Sequence, residues 1–139
     1  MATYEPVGQL SYHRISHNMG VWKRHVDVDI QTGASSASQI DANDVLTAIP
    51  VRTGDIVLQA WINVLTSCTG AASADVGVGE NVDCFVDGVA VDGQVVETAV
   101  AAGSNGPHRF HTADTIDCKI LEAAVTAGKF EVCALIIRI

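Results

Sequence analysis

Five histidines, four cysteines and sixteen carboxylates are the groups with which this 139-residue chain could do chemistry. His108-Arg109-Phe110-His111 holds the one close histidine pair. On a turn, the i, i+3 spacing could bring both rings together; on a strand it puts them on opposite faces. No cysteine or acid flanks the pair at a zinc spacing. It reads as a solvated loop or a subunit contact, with a small metalloenzyme built on His108 and His111 as the enzymatic alternative. Cys68, Cys84, Cys118 and Cys133 form no C-x-x-C pair. They read as small buried hydrophobes rather than as a disulfide framework. Asp83, Asp87 and Asp92 lie close together, but two of them precede glycine, so turn chemistry accounts for them better than calcium, which wants six to eight oxygens. Gly77-x-Gly79 lacks the third glycine of a dinucleotide fingerprint, and neither a P-loop nor a G-x-S-x-G is present. These spacings predict no catalytic residue, no metal and no cofactor. Trp22 shares the parity of Val26 and Val28 and is expected in the core. Trp61 shares the parity of Gln59 and Asn63, and is the better candidate for an interface, where an indole sits half apolar and half wet.

The elements around these residues are strands. Val, Ile and Thr number 19, 11 and 10 against 6 Leu, and β-branched side chains favour a pleated surface. Residues 21–30 alternate apolar and polar, as a half-buried strand does. Residues 45–51 form a short apolar run in which Pro50 marks a strand end or an edge. Residues 56–65 are apolar on both parities, with Ile56, Leu58, Ala60, Ile62 and Val64 on one, so this strand is expected to be covered on both faces over part of its length. Val76 and Val78 are in phase. Residues 115–121 place Ile116, Cys118 and Ile120 on one face, and 130–139 alternate again. Asp87-Gly88, Asp92-Gly93 and Ala127-Gly128 are read as turns, and 31–39 and 103–107 as loops. A helix is possible in 38–46. Seven to nine short strands, with turn signals about every ten residues, predict an all-β fold: an antiparallel β-sandwich or barrel. Residues 1–20 show neither period. They are expected to form an extended arm docked on a neighbour or along the body, with 21–139 as the single sandwich domain.

Charge narrows the partners. The formal net charge is −8. Residues 1–30 balance three basic against three acidic side chains, whereas 31–139 carry five basic and thirteen acidic. So acidic a chain is poorly suited to nucleic acid, which needs clustered Lys and Arg. No apolar run approaches the roughly 20 residues of a membrane span, and MATYEPVGQL shows no secretory pattern.

The ordered series NDVLTAIPVRTGDIVLQAWINVLT, ADVGVGENVDCFVDGV and FHTADTIDCKILEAAVTAGKFEVCALIIRI resembles small structural proteins of tailed bacteriophages, in particular head decoration (cement) proteins, over residues 43–139. The resemblance carries no catalytic motif. It implies a jelly-roll-like sandwich, often a homotrimer, on the outer capsid surface of a virion assembled in the reducing host cytoplasm. The partners would be the major capsid protein and the chain's own copies, with no nucleic acid and no membrane. On that reading Tyr4, Leu10, Tyr12 and Ile15 of the arm reach the coat or a sister subunit. Trp61, His108, Phe110 and His111 are further interface candidates. The alternatives are a tail, neck or fibre-base protein, or a glycan-binding module using Trp61 and the loops at 80–93 and 103–111.

Overall fold

The computed structural model describes residues 2–31, 39–70, 72–79, 81–91, 97–98 and 107–139. Among these there are eleven strands and no α-helix: β1 Thr3–Tyr4, β2 Leu10–Ser16, β3 Met19–Asp27, β4 Val45–Val51, β5 Ile56–Thr69, β6 Ser73–Val78, β7 Asn81–Ala90, β8 Glu97–Thr98, β9 His108–Arg109, β10 Asp114–Leu121 and β11 Ala127–Ile137. Val28–Ile30 is a 3-10 turn capped by Asp27. One sheet runs β1-β4-β10-β6-β7. The other runs β2-β3-β11-β5-β8, with β9 also beside β5. Every pairing is antiparallel except β1 on β4. The pairs β3·β11, β4·β10, β5·β8 and β6·β7 nest inside one another and alternate between sheets, which is jelly-roll connectivity.

The core lies between the sheets. Val26, Ile62, Val64, Phe130 and Val132 from one sheet, and Leu46, Ala48, Ile116, Cys118, Ile120 and Val76 from the other, are fully buried. Each large aliphatic buried this way contributes roughly 1.5–3 kcal/mol. Pro50 lies in β4 beyond the two residues that β1 covers, so its missing N–H falls on an open edge.

Several local expectations differ. Residues 39–44 form a bridge and a turn, with Asn43 at φ 70°, so among the described residues the helix at 38–46 does not form. Asp87-Gly88 is not a hairpin turn. Gly88 (φ 71°) sits within β7 at a bulge, where its N–H donates to Asp75. Ala127-Gly128 opens β11 at another bulge, with Gly128 at φ 118°. A third bulge in β5, where Ile136 pairs with Val57 and Leu135 with Gln59, swaps parity. Val57 therefore enters the core while Ile56 and Leu58 stay half-buried. Asp92-Gly93 and the loops at 31–39 and 103–107 fall wholly or largely outside the described residues.

Residues 1–20, read as an arm, contribute β1 and β2 and the start of β3. The segment shows no period because β2 is an edge strand exposed on both faces from Ser11 onward. With no buried face, it has no alternation to reveal.

Candidate interaction surfaces

The N-terminal segment is pinned to the sandwich by specific bonds. Asp44, buried before β4, accepts the Ala2 N–H at 2.8 Å and the Tyr4 hydroxyl at 2.9 Å. Burial, then the bond to Asp44, raises the Tyr4 phenol well above its ordinary value. The Val7 N–H donates to Gln31 Oε1, and Gln31 Nε2 donates to the Glu5 carbonyl. Buried Arg24 reaches across the core: its Nε donates to the Ala48 carbonyl of the facing sheet at 2.7 Å, and its Nη atoms meet the Gly8 carbonyl and Glu5. Its parity with Trp22 and Val26 was visible in the sequence, and marks it as a cation inside the sandwich. Of the four arm residues, Tyr4 and Leu10 pack on the core. Tyr12 and Ile15 are 46% and 54% exposed.

Tyr12 lies opposite Trp22 across β2 and β3, with ring centroids 4.5 Å apart. Gly20 leaves room for this, since a Cβ there would collide with the Tyr12 ring. The Arg138 guanidinium stands 5.1 Å from the Trp22 ring and grips Asp55 through Nε (3.0 Å) and Nη2 (2.7 Å). Asp55 also accepts the Arg52 N–H, closing the turn before β5. Burial raises the Asp55 carboxyl, but the Arg138 bonds, the Arg52 N–H and the two guanidinium charges outweigh it and hold the group below the ordinary aspartate range.

The two outer faces differ. On the six-stranded sheet, Val21, Lys23 and His25 line up with Leu135, Cys133 and Glu131 of β11, and these with Gln59, Trp61 and Asn63 of β5. Met19, Ile137 and Ile56 extend the apolar end. Trp61 is half-buried here, as are Val21, Leu135, Ile137 and Ile56. The outer face of the five-stranded sheet is acidic. Asp75 and Asp117 are buried among its strands, with Asp83, Asp87 and Asp114 exposed near them. Burial first, then the charges of Asp87 and Asp83, push the Asp75 carboxyl up against the pull of the Gly88 N–H. Burial likewise raises Asp117 despite the Thr115 hydroxyl at 2.6 Å, and Asp114 adds to it.

The remaining sequence candidates separate. Phe110 is 3% exposed and belongs to the core, so it offers no surface. Its neighbour His108 is half-buried on β9, its ring 4.8 Å from Phe110 and 6.2 Å from Phe85. His111 is exposed on the following bend. No group of three or more His, Cys, Asp or Glu able to hold a metal occurs among the described residues. All four cysteines are buried. Burial pushes up the thiols of Cys84 and Cys118, the latter far up. What the surface offers is area for contact: one acidic face, one neutral and partly apolar face, and an exposed edge strand.

No protein-family model matches the chain. No curated protein matches it in sequence. Solved structures match in fold. A chain of the cyanophage Pam1 capsid asymmetric unit superposes with TM-score 0.66 at 16% identity, over 96% of this chain and 95% of that one. A chain of the Ralstonia phage GP4 capsid gives 0.60 at 12%, over 95% and 92%. A chain of the acid-stable capsid of Helicobacter pylori bacteriophage KHP30 gives 0.59 at 13%, over 91% and 93%. At these identities the likeness defines the class of fold, an all-β sandwich of jelly-roll connectivity spanning nearly the whole chain.

Proposed function

We propose that this chain is a non-enzymatic structural protein of a bacteriophage capsid, and more narrowly a decoration protein that binds the outside of the assembled head at capsomer junctions. The observation that supports this reading most is end-to-end similarity to three phage capsid chains, each covered over more than nine-tenths of its length. The surfaces fit it. The six-stranded sheet presents a neutral, partly apolar face around Val21, Trp61, Leu135 and Ile137, suited to lie on the coat protein. The acidic five-stranded sheet suits the solvent side. Exposed Ile15 and Tyr12 at the β2 border are placed to meet a sister subunit.

A protein that binds the assembled shell and not free coat subunits stabilises the shell by linkage. Several weak contacts from a homotrimer add as avidity. The test is co-sedimentation with purified heads lacking this protein, before and after shell expansion. The folded protein is expected to pellet with heads and to raise their disruption temperature. A Trp61→Glu/Leu135→Glu variant, folded by circular dichroism, is expected to stay in the supernatant. Failure of the unaltered protein to bind heads, or its presence on purified tails alone, overturns the decoration reading.

A further inference from the structure

Charge in this chain is segregated to a degree that net charge hides. From Pro6 to Val26 there is no carboxylate, and Arg14, Lys23, Arg24, His13, His17 and His25 all fall there. Between Arg52 and Arg109 there is no Lys or Arg, and seven acids fall there. The fold places β2 and β3 of the first stretch and β7 of the second on opposite flanks. The acid-free stretch is the β2–β3 hairpin, whose β2 forms one border of the six-stranded sheet. The base-free stretch includes β7, the far border of the five-stranded sheet. Asp83 and Asp87 are exposed on β7, and among the described residues neither has an ion-pair partner. Arg14 on β2 is also exposed, and among the described residues it hydrogen-bonds the Ser16 carbonyl and the His17 ring and has no ion-pair partner. Within one copy the two flanks lie on opposite sides and cannot neutralise each other.

Among the described residues the β2 border is also open along its backbone. The His25 N–H donates to the Gln9 carbonyl at 2.9 Å, and Leu10 pairs with Arg24. In an antiparallel ladder the bonded pairs alternate, so Ser11 and His13 face β3 while the peptide groups of Leu10, Tyr12 and Arg14 face outward. A free edge of this kind is a template for another chain unless something covers it. Two β2 edges meeting about a twofold axis would bring Arg14 and the histidines of both copies together. The β7 flank offers the opposite charge.

We infer that copies of this chain associate head to tail, the basic β2 border of one against the acidic β7 flank of the next. This rests on the reading of the chain as a capsid component and names the contact between its copies. Such a contact is heterologous: it ends in a ring where the rotation closes and would run on as a filament where it does not. It lies in the plane of the sheets, which leaves the face around Trp61 and Leu135 free for the coat.

The test is the oligomeric state of the isolated full-length protein, read by analytical ultracentrifugation and native mass spectrometry at about 100 µM protein and 50 mM salt. The unaltered chain is expected to form a closed ring that dissociates in 1 M salt, where exposed charges are screened. Arg14→Glu alone and Asp87→Lys alone place like charges together and are expected to weaken association at least about tenfold. The Arg14→Glu/Asp87→Lys double variant restores opposite charges and is expected to recover the ring. Circular dichroism confirms that each variant is folded. A monomer under the low-salt condition, a ring indifferent to both single changes, or a double variant that stays dissociated overturns the inference. Head binding is read separately, so loss of the ring with head binding retained refutes this contact and leaves the decoration reading standing.

Discussion

Removing the Arg138 side chain by Arg138→Met strands a carboxylate. Asp55 is 2% exposed at its side chain, and Arg138 supplies two of its three hydrogen bonds, the Arg52 N–H supplying the third. Losing one partner of a buried ion pair costs about 3–5 kcal/mol. The Arg138 side chain is 26% exposed, so solvent already screens part of the attraction, and the low end applies. The expected loss is about 3 kcal/mol at pH 7.5, or about 9 °C in melting temperature for a domain of this size.

The loss should depend on pH in a definite direction. With Arg138 present the folded Asp55 titrates below its unfolded value. Its stabilising contribution is therefore full above the unfolded value and fades as pH falls through the folded one. In Arg138→Met, burial is left to raise Asp55, so the folded variant takes up a proton sooner and the deficit narrows as pH falls through the carboxylate range. Urea unfolding followed by tryptophan fluorescence at several pH values measures this, with Trp22 reporting beside Arg138. The Asp55→Asn/Arg138→Met pair carries no stranded charge and should lose less than Arg138→Met alone. A single-variant loss under about 1 kcal/mol, or one that does not change with pH, would refute the reasoning.

Three further outcomes follow from the packing. Asp117→Asn should raise the melting temperature at pH 7.5, because burial lifts the folded carboxyl above its unfolded value and ionisation there opposes folding; calorimetry should show the gain vanish below the carboxylate range, where aspartate is protonated in both states. Gly128→Ala should destabilise by about 2 kcal/mol in urea titration, since φ 118° disfavours a side chain and the new Cβ would lie 2.6 Å from the Cys68 Cα, a backbone atom that cannot swing aside. The four thiols should react with an aromatic disulfide reagent at least about a hundredfold faster in 8 M urea than in the native protein, because all four are buried and burial raises the pKa of Cys84 and Cys118.

The sandwich was legible where a strand has one wet and one dry face. The alternation in 21–30, 115–121 and 130–139 appears as β3 with its 3-10 turn, β10 and β11. It was not legible in β2, where both faces are wet and no period arises. Bulges defeated the local reading of Asp87-Gly88 and Ala127-Gly128, since glycine at positive φ serves a bulge as well as a turn. The buried polar anchors were half visible. Arg24 and Arg138 each sit on the parity of core residues, but the partners Ala48, Glu5 and Asp55 come from distant parts of the chain, and no local pattern names them. For the same reason Phe110, beside two histidines in sequence, could not be seen to fill the core while His111 does not.

The place of β11 between β3 and β5 has a consequence for biosynthesis. β11 is the last of these strands to leave the ribosome, yet it joins two halves of a sheet that have no other contact edge to edge. Until it arrives, β3 and β5 each hold an open apolar border, and the nascent chain has no finished sheet to rest on. Chains cut short before Ala127 would therefore be sticky fragments rather than smaller working domains, and in the cell these become substrates for chaperones and proteases. A zipper of this kind withholds the joined sheet from partners until the β11 segment has been made.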